Sequence, residues 1–203
     1  MPSCEGKNPR GRPRGFDKDQ ALQIAMEVFM QKGYRQTSLN DLTEALQVKK
    51  PSLYAAFGNK EQLFQAVVKA YVEGPVSYVR ESLNQPTSRD VIKVLLKKSV
   101  DLLFLQVKPN GCLAIMSTAV AELEDTELKA GIIQKLRLQQ DLLEERFVVA
   151  IENGDLPAKQ NPTTLASMIA TLHKGLSLQA IGGSEKNELM AVVDAFVELW
   201  PGK

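Results

Sequence analysis

From Asp17 onward, apolar residues recur every three or four positions, the spacing of one buried helical face rather than the two-residue alternation of strands. Ala21, Ile24, Ala25, Val28 and Phe29 form the first such stripe. Asp17, with Gln20 three residues on, predicts its capping box, and Gly33 its left-handed stop. Ser38 with Asp41 predicts a short second helix carrying Leu39, Leu42, Ala45 and Leu46. A break falls at 47–50. Pro51 suits the first turn of a third helix, where its missing N–H costs nothing. Gly58 closes that helix, and Asn59 caps a long fourth one.

Beyond Gly74-Pro75 the helical pattern continues, interrupted at Gln85-Pro86, Pro109-Asn110-Gly111, Asn153-Gly154, Asn161-Pro162 and Gly182-Gly183. No run of alternating β-branched residues bounded by hairpin turns appears. The expected fold is all-α with about nine helices. It divides into an arm over 1–15, a three-helix head over 16–64 and a helical body over 65–203.

Composition, 44% hydrophobic and 24% charged over 203 residues, is that of a globular protein with a core. No apolar run reaches the roughly 18–20 residues a membrane span needs, and no secretory leader is apparent, so no membrane partner and a cytoplasmic location are expected. Cys4 and Cys112 do not make a disulfide framework. Net charge is +1, but residues 1–60 hold ten Lys/Arg against six Asp/Glu, while the remainder holds fifteen against eighteen. The basic excess sits in the first third, where a nucleic acid would want it.

Two short helices joined by a tight turn make a helix-turn-helix. In the second, Leu53 and Phe57 face inward at i and i+4. Lys49, Lys50, Ser52, Ala55 and Ala56 remain for the major groove, and the helix N-terminus offers amides to phosphate. The segment Thr37–Phe64, above all Leu53-Tyr54-x-x-Phe57-x-Asn59-Lys60-Glu61-x-Leu63, resembles the DNA-binding head of the TetR family of repressors. With the first helix, the resemblance covers about residues 17–64. It extends more loosely through Gly111-Cys112-Leu113, Gly154-Asp155-Leu156-Pro157 and Trp200-Pro201.

The resemblance implies that Thr37, Tyr54 and Lys60 contact phosphates, which positions the protein without reading sequence. It also implies that Lys49, Lys50, Ser52, Ala55 and Ala56 face base edges. Gln47 stands where the family usually has glycine, Lys49 where it usually has serine, and Pro51 where glycine is common. In the arm, Arg12 and Arg14 within Gly11-Arg12-Pro13-Arg14 have the composition of minor-groove segments. A basic tail acting non-specifically would look the same.

The family body dimerises and houses an effector pocket. Stripes at Leu165, Met168, Ile169, Leu172 and Leu176, and at Val192, Val193, Phe196, Val197 and Trp200, fit a four-helix homodimer interface. Plain core has the same pattern. Leu102, Phe104, Met116, Val120, Leu143 and Phe147 are pocket candidates for a small-molecule effector of unknown identity. Cys112, opening a helix after Pro109-Asn110, is a further one, with electrophile or oxidant sensing as the alternative to mere packing. The implied mechanism is repression by operator occupancy, relieved when the effector changes the spacing of the two heads. His173 reads as a satisfied structural group.

With a single histidine, no nucleophile elbow and no Gly-rich phosphate loop after a strand, the chain offers no catalytic constellation. One His and two separated Cys do not make a typical zinc centre, and no cofactor is expected. A helical adaptor without DNA binding is the remaining rival. It would tolerate charge reversal at Lys49 and Lys50.

Overall fold

A computed structural model of the chain describes residues 17–74, 77–105 and 126–203. Among these residues there are nine helices and no strand. Four belong to the N-terminal part: α1 (Lys18–Gln36), α2 (Leu39–Ala45), α3 (Lys50–Phe57) and α4 (Lys60–Glu73). Five follow: α5 (Tyr78–Leu83), α6 (Ser88–Leu103), α7 (Thr126–Glu152), α8 (Pro162–Ile181) and α9 (Lys186–Glu198).

The starts of the first helices are set by side chains that accept from orphan amides. The Asp17 carboxylate accepts from the N–H groups of Asp19 and Gln20. Ser38 and Asp41 form the complete box, with Ser38 accepting from the Asp41 N–H at 3.1 Å and Asp41 from the Ser38 N–H at 2.7 Å. Asn59 and Gln62 make a second one at 2.8 and 3.0 Å. Gly33 has the expected positive φ of 74°, but helical backbone resumes for one turn to Gln36.

Side chains from all four helices meet in one head core. Ala25 and Phe29, Leu42, Leu53, and Leu63, Phe64 and Val67 are essentially inaccessible. The Phe29 and Phe64 rings meet edge to face at 4.9 Å between centroids, and Tyr34 lies 4.7 Å from Phe64. Such aromatic pairs each add about 1 kcal/mol beyond their buried area. The head boundary expected at residue 64 falls inside α4. That helix runs on without a break to Glu73, burying Val68 and Tyr71 further along.

In the body, α6 buries Val91, Ile92, Leu95, Leu96, Val100 and Leu103 and touches α5, α8 and α9. Arg146 of α7 donates to the carbonyls of Leu83, Gln85 and Pro86, which satisfies the end of α5. The two stripes expected at a subunit interface are mostly intramolecular core. Leu165, Ile169 and Leu176 of α8 and Val193, Val197 and Trp200 beside α9 are buried within the chain. The reason is that α8 lies against α7 and α6, and α9 against α6, so their strongest apolar faces are already covered. What α8 leaves exposed is a neighbouring strip, Met168, Thr171, Lys174 and Leu178, with half-exposed Gly175 between them.

Candidate nucleic-acid interface

The joint between α2 and α3 is a tight C-terminal turn. The Gln47 N–H donates to the Glu44 carbonyl at 3.1 Å and the Val48 N–H to the Thr43 carbonyl at 3.0 Å, the bond pair of a Schellman motif. Gln47 itself sits at φ 54°, in the left-handed region. That accounts for the family's glycine at this place: the backbone there costs a side chain roughly 1–2 kcal/mol.

This turn sets α3 so that Leu53 points inward, 1% exposed, while Lys49, Lys50, Pro51, Ser52 and Ala55 are exposed and Tyr54 is 46% exposed. Ala56 and Lys60 are half-buried, as is Phe57, which packs against the core. One face of α3 is therefore anchored and the opposite face is open. The first turn offers fewer amides than expected. Pro51 has no N–H, and that of Ser52 donates to the Lys49 carbonyl at 2.9 Å.

Thr37 requires a correction. It is 1% exposed, and its hydroxyl donates to the Gly33 carbonyl at 2.6 Å, one of the groups left over where α1 breaks. A buried hydroxyl committed to the backbone holds the α1–α2 joint and does not reach a phosphate. Arg12 and Arg14 lie outside the described residues, as do Cys112, Met116 and Val120.

Behind the open face is a charged network. Lys32 Nζ donates to Asp41 Oδ1 at 2.6 Å, while the other oxygen accepts from the Ser38 hydroxyl and N–H. The Lys32 hydrogen bond, then those from Ser38, hold the Asp41 carboxyl well below the usual carboxylate range. Lys60 Nζ lies 4.4 Å from the centroid of the Tyr34 ring, a cation–π contact. Burial lowers the Lys60 pKa, and the nearby Asp41 charge opposes that shift. Asp41 was legible as a cap. Lys32 and Tyr34 were not, because their partners are on other helices at spacings that carry no sequence signal.

Of the pocket candidates, Leu102 and Phe104 are half-buried against the core, and Leu143 is buried. Phe147 is wholly buried, its ring 5.3 Å from that of Trp200. His173 Nε2 lies 3.5 Å from the Tyr78 hydroxyl. Burial, and to a smaller degree the neighbouring Lys174 charge, push its pKa down to about 4. Among the described residues no group of three or more His, Cys, Asp or Glu is placed to hold a metal. No described helix is long and apolar enough to cross a membrane.

An all-helical chain whose head presents a short, half-open helix after a tight turn belongs to the helix-turn-helix regulators. Comparison with known proteins narrows the class. Residues 21–67 match the profile of bacterial regulatory proteins of the tetR family. The chain is 29% identical over 197 residues to the HTH-type transcriptional repressor ComR of Escherichia coli, covering 96% of this chain and 94% of that one. It is 32% identical over 147 residues to the HTH-type transcriptional regulator YezE of Bacillus subtilis, covering 72% and 76% respectively. A cysteine mutant of the TetR family transcriptional regulator CifR, complexed with 26-base-pair double-strand operator DNA, superposes with a TM-score of 0.86. It shares 37% identity, over 94% of this chain and 100% of that one. The chain belongs to the TetR family of transcriptional regulators.

Proposed function

We propose that this protein is a homodimeric, cytoplasmic repressor that holds double-stranded operator DNA through α3 and is released by a small-molecule effector. The observation that carries the reading is the division of α3 into a buried Leu53 and an exposed face of Lys49, Lys50, Ser52 and Ala55. The superposition on a relative complexed with operator DNA supports it. In this reading Lys49 and Lys50 donate to guanine O6/N7, Ser52 donates to or accepts from base edges, and the methyls of Ala55 and Ala56 meet thymine methyls. Tyr54 and Lys60 hold phosphates, and Arg12 and Arg14 lie in the adjacent minor groove.

Two heads then read half-sites one helical turn of DNA apart. The strip of α8 at Met168, Thr171, Gly175 and Leu178, with Lys174 at its edge, is the face assigned to the second subunit. The effector acts by favouring a head spacing that does not fit both half-sites, a two-state coupling. Phe104 and Phe147 stay candidates for the walls of its pocket. The protein carries out no chemistry in this scheme.

Selection of bound duplexes from a random pool by the purified protein tests this. An enriched two-half-site sequence is expected. Its enrichment should disappear when Lys49 and Lys50 are both changed to Glu. Equal affinity for every duplex, or indifference to that double change, would overturn the proposal.

A further inference from the structure

Gly33 breaks α1 at φ 74°, and helical backbone resumes beyond the kink at Tyr34. The Thr37 hydroxyl pins the break through its 2.6 Å bond to the Gly33 carbonyl. Past this kink the Tyr34 ring lies against the start of α4. Its centroid is 4.7 Å from that of Phe64 and 6.1 Å from that of Phe29, so the ring is held from two helices.

Lys60 opens α4, two residues after the Gly58 that closes α3. This is a poor place for a cation. The first turn of a helix carries partial positive charge, which disfavours an ammonium. Burial works in the same direction and lowers the Lys60 pKa. A phosphate grip here requires the ammonium to stay charged and to keep one direction. Asp41 opposes the shift, but both its carboxylate oxygens are engaged. One accepts from Lys32 at 2.6 Å, the other from the Ser38 hydroxyl and N–H at 2.7 Å each. The Lys60 ammonium instead lies over the Tyr34 ring, Nζ 4.4 Å from its centroid. A ring face attracts the cation without neutralising it, and the N–H groups turned away from the ring stay available to an anion. An ion pair with Asp41 would cancel the charge that a phosphate needs.

We propose that Tyr34 is a positioning residue for DNA binding: its ring fixes the Lys60 ammonium beside the end of α3, aimed at a backbone phosphate. The proposal rests on the reading above in which Lys60 holds a phosphate. Tyr34 itself touches no DNA. It acts by holding a long side chain in place before DNA arrives, which removes part of the ordering cost of binding. A phosphate contact carries no sequence information, so every duplex benefits alike.

The test varies the charge of the ring face at nearly constant shape. In the full-length protein, Tyr34→Phe is compared with difluoro- and trifluorophenylalanine at the same position, each with and without Lys60→Met. Fluorine withdraws charge from the ring face, so the hold on the ammonium weakens stepwise while the packing against Phe29 and Phe64 is kept. Each form is titrated with the selected two-half-site duplex and with a scrambled duplex of equal length. Relative to Tyr34→Phe, the trifluoro form should lose about two- to fivefold in affinity per bound head, on both duplexes. With Lys60→Met in place, fluorination should cost nothing. In the free parent protein, nuclear Overhauser contacts should join the Tyr34 ring to the Lys60 ε-methylene.

Affinity that ignores fluorination, rises with it, or falls equally in the Lys60→Met background overturns the proposal. So does absence of the Overhauser contacts, or a loss confined to the selected duplex, which would place the effect in base reading. The two readings fail separately. Indifference to fluorine, while Lys60→Met still lowers the salt slope, removes the role of Tyr34 alone. A salt slope unchanged by Lys60→Met removes the phosphate role of Lys60, and that of Tyr34 with it.

Discussion

Trp200 donates its indole N–H to the hydroxyl of Ser88 at 3.0 Å, joining the end of the chain to the first residue of α6. Around this bond the C-terminus is fastened at several points. Asp155 accepts from the Ser88 N–H at 2.6 Å and from the Lys203 N–H at 3.1 Å. Arg89 donates to the carbonyls of Val197, Trp200 and Gly202 at 2.6–2.8 Å. The sequence fragments Gly154-Asp155-Leu156-Pro157 and Trp200-Pro201, read separately as family marks, are thus two sides of one structure.

Removing the Arg89 guanidinium leaves several carbonyls without their charged donor, each such bond contributing about 1.5–3 kcal/mol. Arg89→Met is expected to lower stability by about 3 kcal/mol, which for a chain of this size is a fall of roughly 6–12 °C in Tm. Calorimetry measures it. Gly202→Ala should act in the same direction, since a Cβ there collides with the Ser88 hydroxyl and the Trp200 indole. A change under ~1 kcal/mol in both would show that the fastening is dispensable.

The turn between α2 and α3 is a place where substitution can raise stability. Gln47 holds φ 54° with a side chain that disfavours it. Gln47→Gly relieves that strain but gives the unfolded chain more freedom, and the net gain expected is about 0.5–1 kcal/mol. Gln47→Val, β-branched, should lose more than 1 kcal/mol. Denaturant midpoints at constant m-value decide the sign.

How much of this was readable before folding differs from place to place. The capping residues Asp17, Ser38 and Asn59 sit within three or four residues of the amides they serve, so local spacing announced them. The α3 face was legible because Leu53 and Phe57 share one side of a helix whose ends Pro51 and Gly58 mark. Thr37 was misread because the fate of its hydroxyl depends on a break in α1 that sequence places only approximately. The stripes of α8 and α9 were periodic enough to identify the helices. Periodicity does not say whether a stripe meets its own chain or another. Arg89, with partners more than a hundred residues away, carries no local signal at all.

Two groups set opposing expectations for acid only at first sight. The folded-state pKa of Asp41 is depressed by Lys32 and Ser38, so its contribution is present above the unfolded value of 3.8 and is lost as pH falls through the lower folded one. His173 is depressed too, to about 4 from 6.5, but here the charged form is the disfavoured one. The unfolded chain binds a proton between pH 6.5 and 4 that the folded chain refuses. Stability therefore declines as pH drops through that window. Both effects weaken the protein in acid, in separable ranges. His173→Gln should flatten the decline between pH 6.5 and 4, and Lys32→Met should bring the Asp41-dependent loss to higher pH. Thermal melts across pH, with the Asp41 carboxyl followed by NMR, distinguish them.

Phosphate and base contacts leave different marks on DNA binding. Lys60→Met removes a backbone cation and should weaken all duplexes alike, reducing the slope of log affinity against log salt by about 1. Deleting residues 1–14 should reduce that slope further through Arg12 and Arg14. Lys50→Ala should instead relax preference at one base pair, costing about 1–3 kcal/mol on the best site and little on others. A uniform loss from Lys50→Ala would reassign it to the backbone.

The dimer assignment is decided at α8. Leu178 is 58% exposed and Met168 45%, while their neighbours Leu165, Ile169 and Leu176 are 4% exposed or less. Large apolar side chains held at the surface of an otherwise well-packed helix mark an interaction face. Thr171 and Gly175 between them are small enough for close approach of a second helix. Leu178→Glu with Met168→Glu places like charges on both sides of a two-fold interface, so each substitution is felt twice. Sedimentation should show a dimer for the parent and a monomer for this double variant. Its affinity for a two-half-site operator should fall at least tenfold, while a single half-site is bound as before. A double variant that stays dimeric would move the interface elsewhere, with the exposed Val148 and Val149 of α7 the next surface to charge.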